Sequence, residues 1–299
     1  MQSNDFILKD DARKLATELF RIVATIASIG FIWMKIKDSN LDLSLIAAFD
    51  TANFLIILLV ALLVVPNWLL ESWRWTEIIS VIDPLKWTDS LKEVMVGIML
   101  NMAVPFGIGD LIARLSKRKD RRAALSTIVF SRSIMTSITI MLGCFGISKY
   151  LEVSDPILIL LLTTIAALAL SIYGLGRFHG RTFLFFQRAS FHQIVKILCI
   201  SVIRYATYVI QFVVILQLFV HQIPVDELIG GIGIIYLSKT FIPSFFNGLG
   251  IREITGILYF EKFIDNASII ILPILIIWVI NTVLPAFVGG IILWRSKFD

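Results

Sequence analysis

Residues 55–65 read Leu55-Ile-Ile-Leu-Leu-Val-Ala-Leu-Leu-Val-Val65, an apolar run with no polar position on either alternate face. A membrane-spanning β-strand must alternate polar and apolar residues, so this stretch cannot be one. As part of a longer apolar helix it can cross a hydrocarbon core about 30 Å thick, which takes roughly 20 residues. Ile157–Leu170 and Ile269–Ile280 repeat the pattern. The surrounding composition agrees: 58% of the 299 residues are hydrophobic, 16% are charged, and the mean hydropathy is +0.87. A soluble domain needs about 25% charged residues to cover its surface. The sequence therefore specifies an all-α polytopic membrane protein, a single membrane domain over 1–299, with no soluble domain fitted around its spans.

Six full transmembrane helices are predicted, at 19–35, 45–70, 123–148, 156–176, 195–220 and 266–294. Lys and Arg set their orientation, because basic loops stay on the cytoplasmic side. Arg114, Lys117, Arg118, Lys119, Arg121 and Arg122 crowd one linker, and Arg177, Arg181, Arg188 and Lys196 occupy another. With both linkers inside, 19 of the 27 basic residues are cytoplasmic and four (Lys35, Lys37, Lys149, Lys262) are external. Both termini are then cytoplasmic, and the N-terminal segment reads as retained rather than as a cleaved signal peptide. The basic linkers also suit contact with anionic headgroups. Localisation is expected in a membrane, a prokaryotic cytoplasmic membrane in particular.

Two more apolar segments, 91–113 and 228–260, are interrupted. The first carries Asn101-Met-Ala-Val-Pro105-Phe-Gly107-Ile-Gly109-Asp110, and the second Pro243-Ser-Phe-Phe-Asn247-Gly248-Leu-Gly250-Ile-Arg252-Glu253. Proline removes a backbone donor and clashes with the preceding turn; glycine frees the backbone just after it. Pro105, Gly107, Gly109, Pro243, Gly248 and Gly250 are thus the expected structural breaks. The topology makes the first segment enter and leave from inside, the second from outside, so both are expected to be re-entrant. Three crossings per half then invert one half, 19–148, relative to the other, 156–294. Broken helices at matching positions of an inverted repeat are where transporters build substrate sites. Irregular backbone at membrane depth must also be buried or face a wet cavity, so both breaks should point inward. The short arm after Asp110 suggests a shallow dip for the first.

The second break, with Pro243 followed by Asn247-Gly248-Leu249-Gly250-Ile251-Arg252-Glu253, resembles the Pro, Gly-Gly-x-Gly-x-Arg-Glu signature of the transmembrane region of lysylphosphatidylglycerol synthases. That family includes stand-alone flippase-like membrane proteins. Asn101 to Asp110 is similar to its Asn…Pro…Gly-Asp/Glu element, and Trp73-Arg74-Trp75 also fits. The resemblance spans roughly 20–295. Asn247 stands where the family usually has glycine, Arg114 falls one position late, and Ser131-Arg132 replaces a Glu-Arg pair. The resemblance implies movement of a lipid or lipid-linked molecule between leaflets.

Charged groups among apolar spans usually face partners or water. Asn101, Asp110, Arg114, Lys239, Asn247, Arg252 and Glu253 are the candidate substrate-binding residues. Arg114 and Lys239 could hold a headgroup phosphate or anchor at the interface. Arg252 and Glu253 either meet ligand or pair structurally; neighbours on a helix do not face each other, which favours partners on other segments such as Asp110. Arg204 and Gln211 share a face of the fifth span and, with Arg132, suit pairing inside the bundle. Asp50 and Asn53 share a face near the outer end of the second span.

No catalytic residue or cofactor is expected. Gly107-Ile-Gly109-Asp110 is similar to the Gly-x-Gly-Asp of presenilin-type proteases, but no Tyr-Asp accompanies it. His179, His192 and His221 lack carboxylates at ligand spacing, so no metal site is expected. Cys144 and Cys199 lie in apolar runs and read as filler. The basic residues flank membrane spans, which argues against nucleic acid. The expected partners are membrane lipids with anionic or lipid-linked headgroups, and a homo-oligomer is compatible with the sequence. The function expected is a lipid translocase; a secondary transporter of a small polar solute, or a membrane-embedded enzyme or accessory of lipid-linked glycan synthesis, are the alternatives.

Overall fold

A computed structural model describes residues 49–104, 107–153, 188–242, 244 and 246–295. The expected spans 19–35 and 156–176, and the two prolines Pro105 and Pro243, lie outside the described residues. Within them every regular element is helical. In chain order these are α1 (Thr51–Leu62), α2 (Val64–Ile79), α3 (Trp87–Ala103), α4 (Ile108–Leu115) and α5 (Arg121–Tyr150). Then follow α6 (Phe191–Phe219), α7 (Val225–Phe241), α8 (Ile251–Phe260), α9 (Ala267–Trp278), a π turn (Val279–Val283) and α10 (Leu284–Arg295).

Four continuous helical stretches among the described residues are long and apolar enough to cross a bilayer: Thr51–Ile79, Arg121–Tyr150, Phe191–Phe219 and Ala267–Arg295. They coincide with four of the expected spans, with one correction. The span expected to end at 70 runs on to Ile79. Glu71, Arg74 and Glu77 read as the polar end of a span, yet each is paired within the bundle, so the helix tolerates them. Asp50 caps α1, its Oδ1 accepting the Asn53 N–H at 2.8 Å. That bond accounts for the shared polar face noted at those positions.

The last span carries its π turn for a local reason. Pro285 has no N–H to offer the carbonyl of Asn281 and would clash with it in a regular helix. The extra residue of a π turn absorbs the mismatch. It turns Thr282 toward the second break, where its hydroxyl meets Asn247 Nδ2 at 3.2 Å.

Each interrupted segment is a helical hairpin. In the first, α3 and α4 lie so close that a Cβ on Gly109 would collide with the backbone of Leu100 and Asn101. The turn is made by Gly107, at φ 67° in the left-handed region. In the second, α7 and α8 are joined through a turn in which Phe246, Asn247, Gly248 and Gly250 all have positive φ. Asparagine tolerates that region better than most residues, which is how it stands beside two glycines there.

The hairpins cross-pack. The long arm α7 of the second lies against α5, where a Cβ on Gly146 would strike the Gly230 carbonyl and one on Gly233 the Leu142 carbonyl. The long arm α3 of the first lies against α10, where a Cβ on Gly289 would strike the Met95 carbonyl. Small residues at such crossings let helices pack closely in lipid, where no hydrophobic effect drives them together. Between the hairpins α2 packs on α6, and Gln211 on α6 donates to the Val60 carbonyl at 2.8 Å.

Candidate polar cavity between two helix breaks

At the first break the arms are tied by Asn101, whose Oδ1 accepts the Asp110 N–H at 3.0 Å and so caps the start of α4. Asp110 then accepts from Arg114 Nε at 2.7 Å, one helical turn on. Arg114 reaches across to Glu71 Oε1 on α2, also at 2.7 Å. Glu71 holds Arg74 at 2.7 Å and faces Arg204 of α6 at 3.4 Å. Arg132 of α5 donates to the Gly107 carbonyl and lies 3.4 Å from Asp110 Oδ2. Arg74 also donates to the Ser131 carbonyl at 3.3 Å. Glu71, Arg74 and Arg114 are all nearly fully buried, where an unpaired charge would be severely penalised. Four arginines therefore share two carboxylates, and the cluster carries a positive excess.

The second break is built differently. Arg252, buried, donates from Nη2 to the Asn247 carbonyl at 2.8 Å. Its Nε and Nη1 have no partner among the described residues. Glu253 turns back on its own chain, Oε2 accepting the Gly250 N–H at 2.6 Å. That is a helix cap rather than an ion pair, and the partnership with Asp110 that the sequence favoured is not formed. Asp110 is taken instead by Arg114, one turn along the same helix, and by Arg132, which α5 brings alongside. Lys239 lies alongside the turn, close enough that a Cβ on Gly248 would crowd its side chain. No ion pair of Lys239 or Arg252 occurs among the described residues.

Both breaks open on one cavity. Its first lobe, ≈ 190 Å³, is lined by Asn101, Val104 and Gly107 from the first break and by Lys239, Ser244 and Asn247 from the second. A second lobe, also ≈ 190 Å³, shares Lys239, Thr240 and Asn247 and extends toward α2, α6 and the π turn. Residues of the two breaks thus share one lining. Of the seven candidate residues, Asn101, Lys239 and Asn247 line the cavity. Asp110 and Arg114 stand behind it in the ion network, and Arg252 and Glu253 brace the second turn.

A family model described as the lysylphosphatidylglycerol synthase TM region matches residues 21–290. The chain belongs to that family. Among curated proteins there is no match. Membership in this lysylphosphatidylglycerol synthase TM-region family makes the chain an integral membrane protein of a lipid-related group, and the match takes in all the site residues described above.

Sequence reading of this family member missed Glu71, which holds three arginines, and assigned Arg74 only to a Trp-Arg-Trp motif. The available signal was the Glu71/Arg74 spacing of three, directly after an apolar run, which puts both on one helix face. It also missed the second lobe, lined by Asn67, Trp68, Tyr236 and Asn281. Gln211 and Arg204 do pair inside the bundle, as expected, while Arg132 meets Asp110 with its side chain 40% exposed.

The open ends of the hairpins are locked by ion pairs. Arg118 binds Glu93 and, at 3.1 Å, Asp83, while Trp75 Nε1 donates to Glu93 at 2.9 Å. On the second hairpin, Glu227 takes the Tyr259 hydroxyl at 2.8 Å and Lys262 at 3.3 Å, and Lys149 binds Asp226.

Proposed function

We propose that this chain moves a lipid or lipid-linked molecule with an anionic headgroup between the leaflets of a prokaryotic cytoplasmic membrane, as a carrier and not an enzyme. The observation that carries this reading is the shared cavity: residues of both breaks line it, and Lys239 and Arg204 bring positive charge to it with no carboxylate in the lining among the described residues. A phosphate entering there would gain hydrogen bonds to charged donors in a low-dielectric setting, the strong kind.

The hairpins act as re-entrant segments of two inverted halves, 19–148 and 156–294, in a bundle of six full spans with cytoplasmic termini. The reciprocal packing supports this: α3 of one half rests on α10 of the other, and α7 rests on α5. Rocking of the halves about the α2–α6 contact would expose the cavity to each side in turn. An apolar groove of ≈ 460 Å³, lined by Ile147, Ile234, Ile242, Ile254 and Leu258, has Ile242 in common with the lining of the cavity. It gives an acyl chain a place beside its headgroup, which favours a lipid over a free solute.

The test is leaflet exchange in reconstituted vesicles. Fluorescent anionic phospholipid should become accessible to an external quencher faster with the protein than in empty vesicles. Exchange no faster than in empty vesicles, for anionic and lipid-linked substrates alike, would overturn the reading. Labelling of cysteines placed at Lys117 and Lys262 from opposite sides of the membrane would test the inversion separately.

A further inference from the structure

The second lobe concentrates polar atoms that the protein leaves without partners. Among the described residues these are Asn67 Nδ2 and Oδ1, Trp68 Nε1, Arg204 Nε, Tyr236 Oη and Asn281 Oδ1, all on residues lining that lobe. Asn67 is 1% exposed, Asn281 2% and Tyr236 8%, so bulk water does not satisfy them. Each buried, unpaired polar group destabilises a fold. A cluster on one cavity wall therefore points to something that occupies the cavity.

The kinds of atoms define the occupant. Trp68 Nε1, Arg204 Nε and Asn67 Nδ2 are donors and suit phosphate oxygens. Asn67 Oδ1 and Asn281 Oδ1 are acceptors, and the Asn281 amide donates back to the Ile277 carbonyl at 3.4 Å, leaving its oxygen for the lobe. These acceptors need a ligand that donates. An ammonium could do so, but Arg204 and Lys239 line the same lobe and no carboxylate does among the described residues. Glu71, next to Arg204, is already shared among three arginines. Hydroxyl groups both donate and accept without adding positive charge. The rings of Trp68, Tyr205, Tyr208 and Tyr236 complete the lining. Such rings offer apolar faces to the C–H side of a hydroxylated ring or chain while their polar tips bond to it.

We infer that the second lobe recognises a polyhydroxylated phosphodiester headgroup, a glycerol, inositol or sugar carried on phosphate, and discriminates against an aminoacylated, cationic one. This specifies the cargo class of the carrier proposed above and rests on that reading for its role in transport, though not for binding. Phosphate sits toward Lys239 and Arg204, and the hydroxylated group reaches Asn67, Asn281 and Tyr236.

Equilibrium binding to the purified full-length chain in mild detergent tests it. Short-chain phosphatidylinositol, phosphatidic acid, lysylphosphatidylglycerol and phosphatidylcholine are titrated separately, alongside soluble inositol phosphate. Phosphatidylinositol should bind about tenfold tighter than phosphatidic acid, the gain of one or two well-made hydrogen bonds, and lysylphosphatidylglycerol should bind weaker than either. Tyr236→Phe and Asn67→Leu should each remove most of that advantage. Asn67→Leu should at the same time melt no lower than wild type, since an apolar side chain of similar size relieves an unpaired amide. Equal affinity for phosphatidylinositol and phosphatidic acid would overturn the inference and assign the orphan atoms to water, while leaving an anionic site in place. Tightest binding of lysylphosphatidylglycerol would overturn it as well. Binding of no probe would sink both this inference and the anionic site. Soluble inositol phosphate matching the lipid would keep the headgroup chemistry and remove the lipid requirement. Selective binding without vesicle exchange would break the transport reading alone.

Discussion

The two helix breaks use similar residues to opposite ends. At the first, Asp110 and Glu71 sit among four arginines, and every charged side chain has a counter-charge within 3.4 Å. At the second, Arg252 meets a backbone carbonyl, Glu253 caps its own helix, and Lys239 faces the cavity. One break is an ion network that holds α2, α4, α5 and α6 together. The other is a turn pinned by backbone and hydroxyl contacts, with its positive charge left toward open space. Charge in the first is paired within the protein; charge in the second has no carboxylate partner among the described residues.

Deleting the shared carboxylate should separate them most sharply. Glu71→Gln leaves buried Arg74 and half-buried Arg204 without a counter-charge among the described residues and Arg114 with Asp110 alone, and losing one partner of a buried pair costs about 3–5 kcal/mol. We expect the variant to unfold in detergent at much lower temperature or denaturant, whereas Glu253→Gln, which can still accept from Gly250, shifts the midpoint little. Similar losses for the two would erase the distinction. Next in size is Lys239→Met. The fold should be as stable as wild type or more so, because an unpaired cation leaves the interior. Exchange of anionic lipid should nevertheless fall about tenfold or more, the worth of a charge-assisted hydrogen bond. A stability loss with unchanged exchange would move Lys239 into the structural class.

Backbone effects are smaller. Gly107→Ala puts a Cβ on a left-handed residue, at about 1–2 kcal/mol, and 3.1 Å from the Arg132 guanidinium. It should lower the melting temperature by a few degrees and is read by the same thermal scan. Asn247→Gly tests the mildest point. It loses the Thr282 bond and gains ease at positive φ, so stability should stay within about 1 kcal/mol of wild type. A larger fall would mean that the Asn247–Thr282 contact holds the turn.

Much of the site was legible before any coordinates. Pro and Gly in an apolar run force a break whatever surrounds it, so Gly107, Gly248 and the turn at Asn247 could be read directly. The partners could not. The sequence favoured Asp110 as a partner of Arg252 or Glu253, whereas Arg114, one turn along α4, and Arg132, brought up by α5, take it. Glu71 and Arg74 looked like the end of a span because a sequence shows charge but not pairing.

Length, hydropathy and the placement of Pro and Gly are local quantities. They sufficed for a helical membrane protein with four of its spans and both breaks in the right places, because a bilayer forces every backbone group to be satisfied within its own helix. Which helix lies beside which is decided by close fit at Gly146, Gly233 and Gly289 and by ion pairs between distant segments. Those contacts join residues tens or hundreds of positions apart, so tertiary structure alone brought the two breaks onto one cavity and gathered Asn67, Tyr236 and Asn281 around its second lobe.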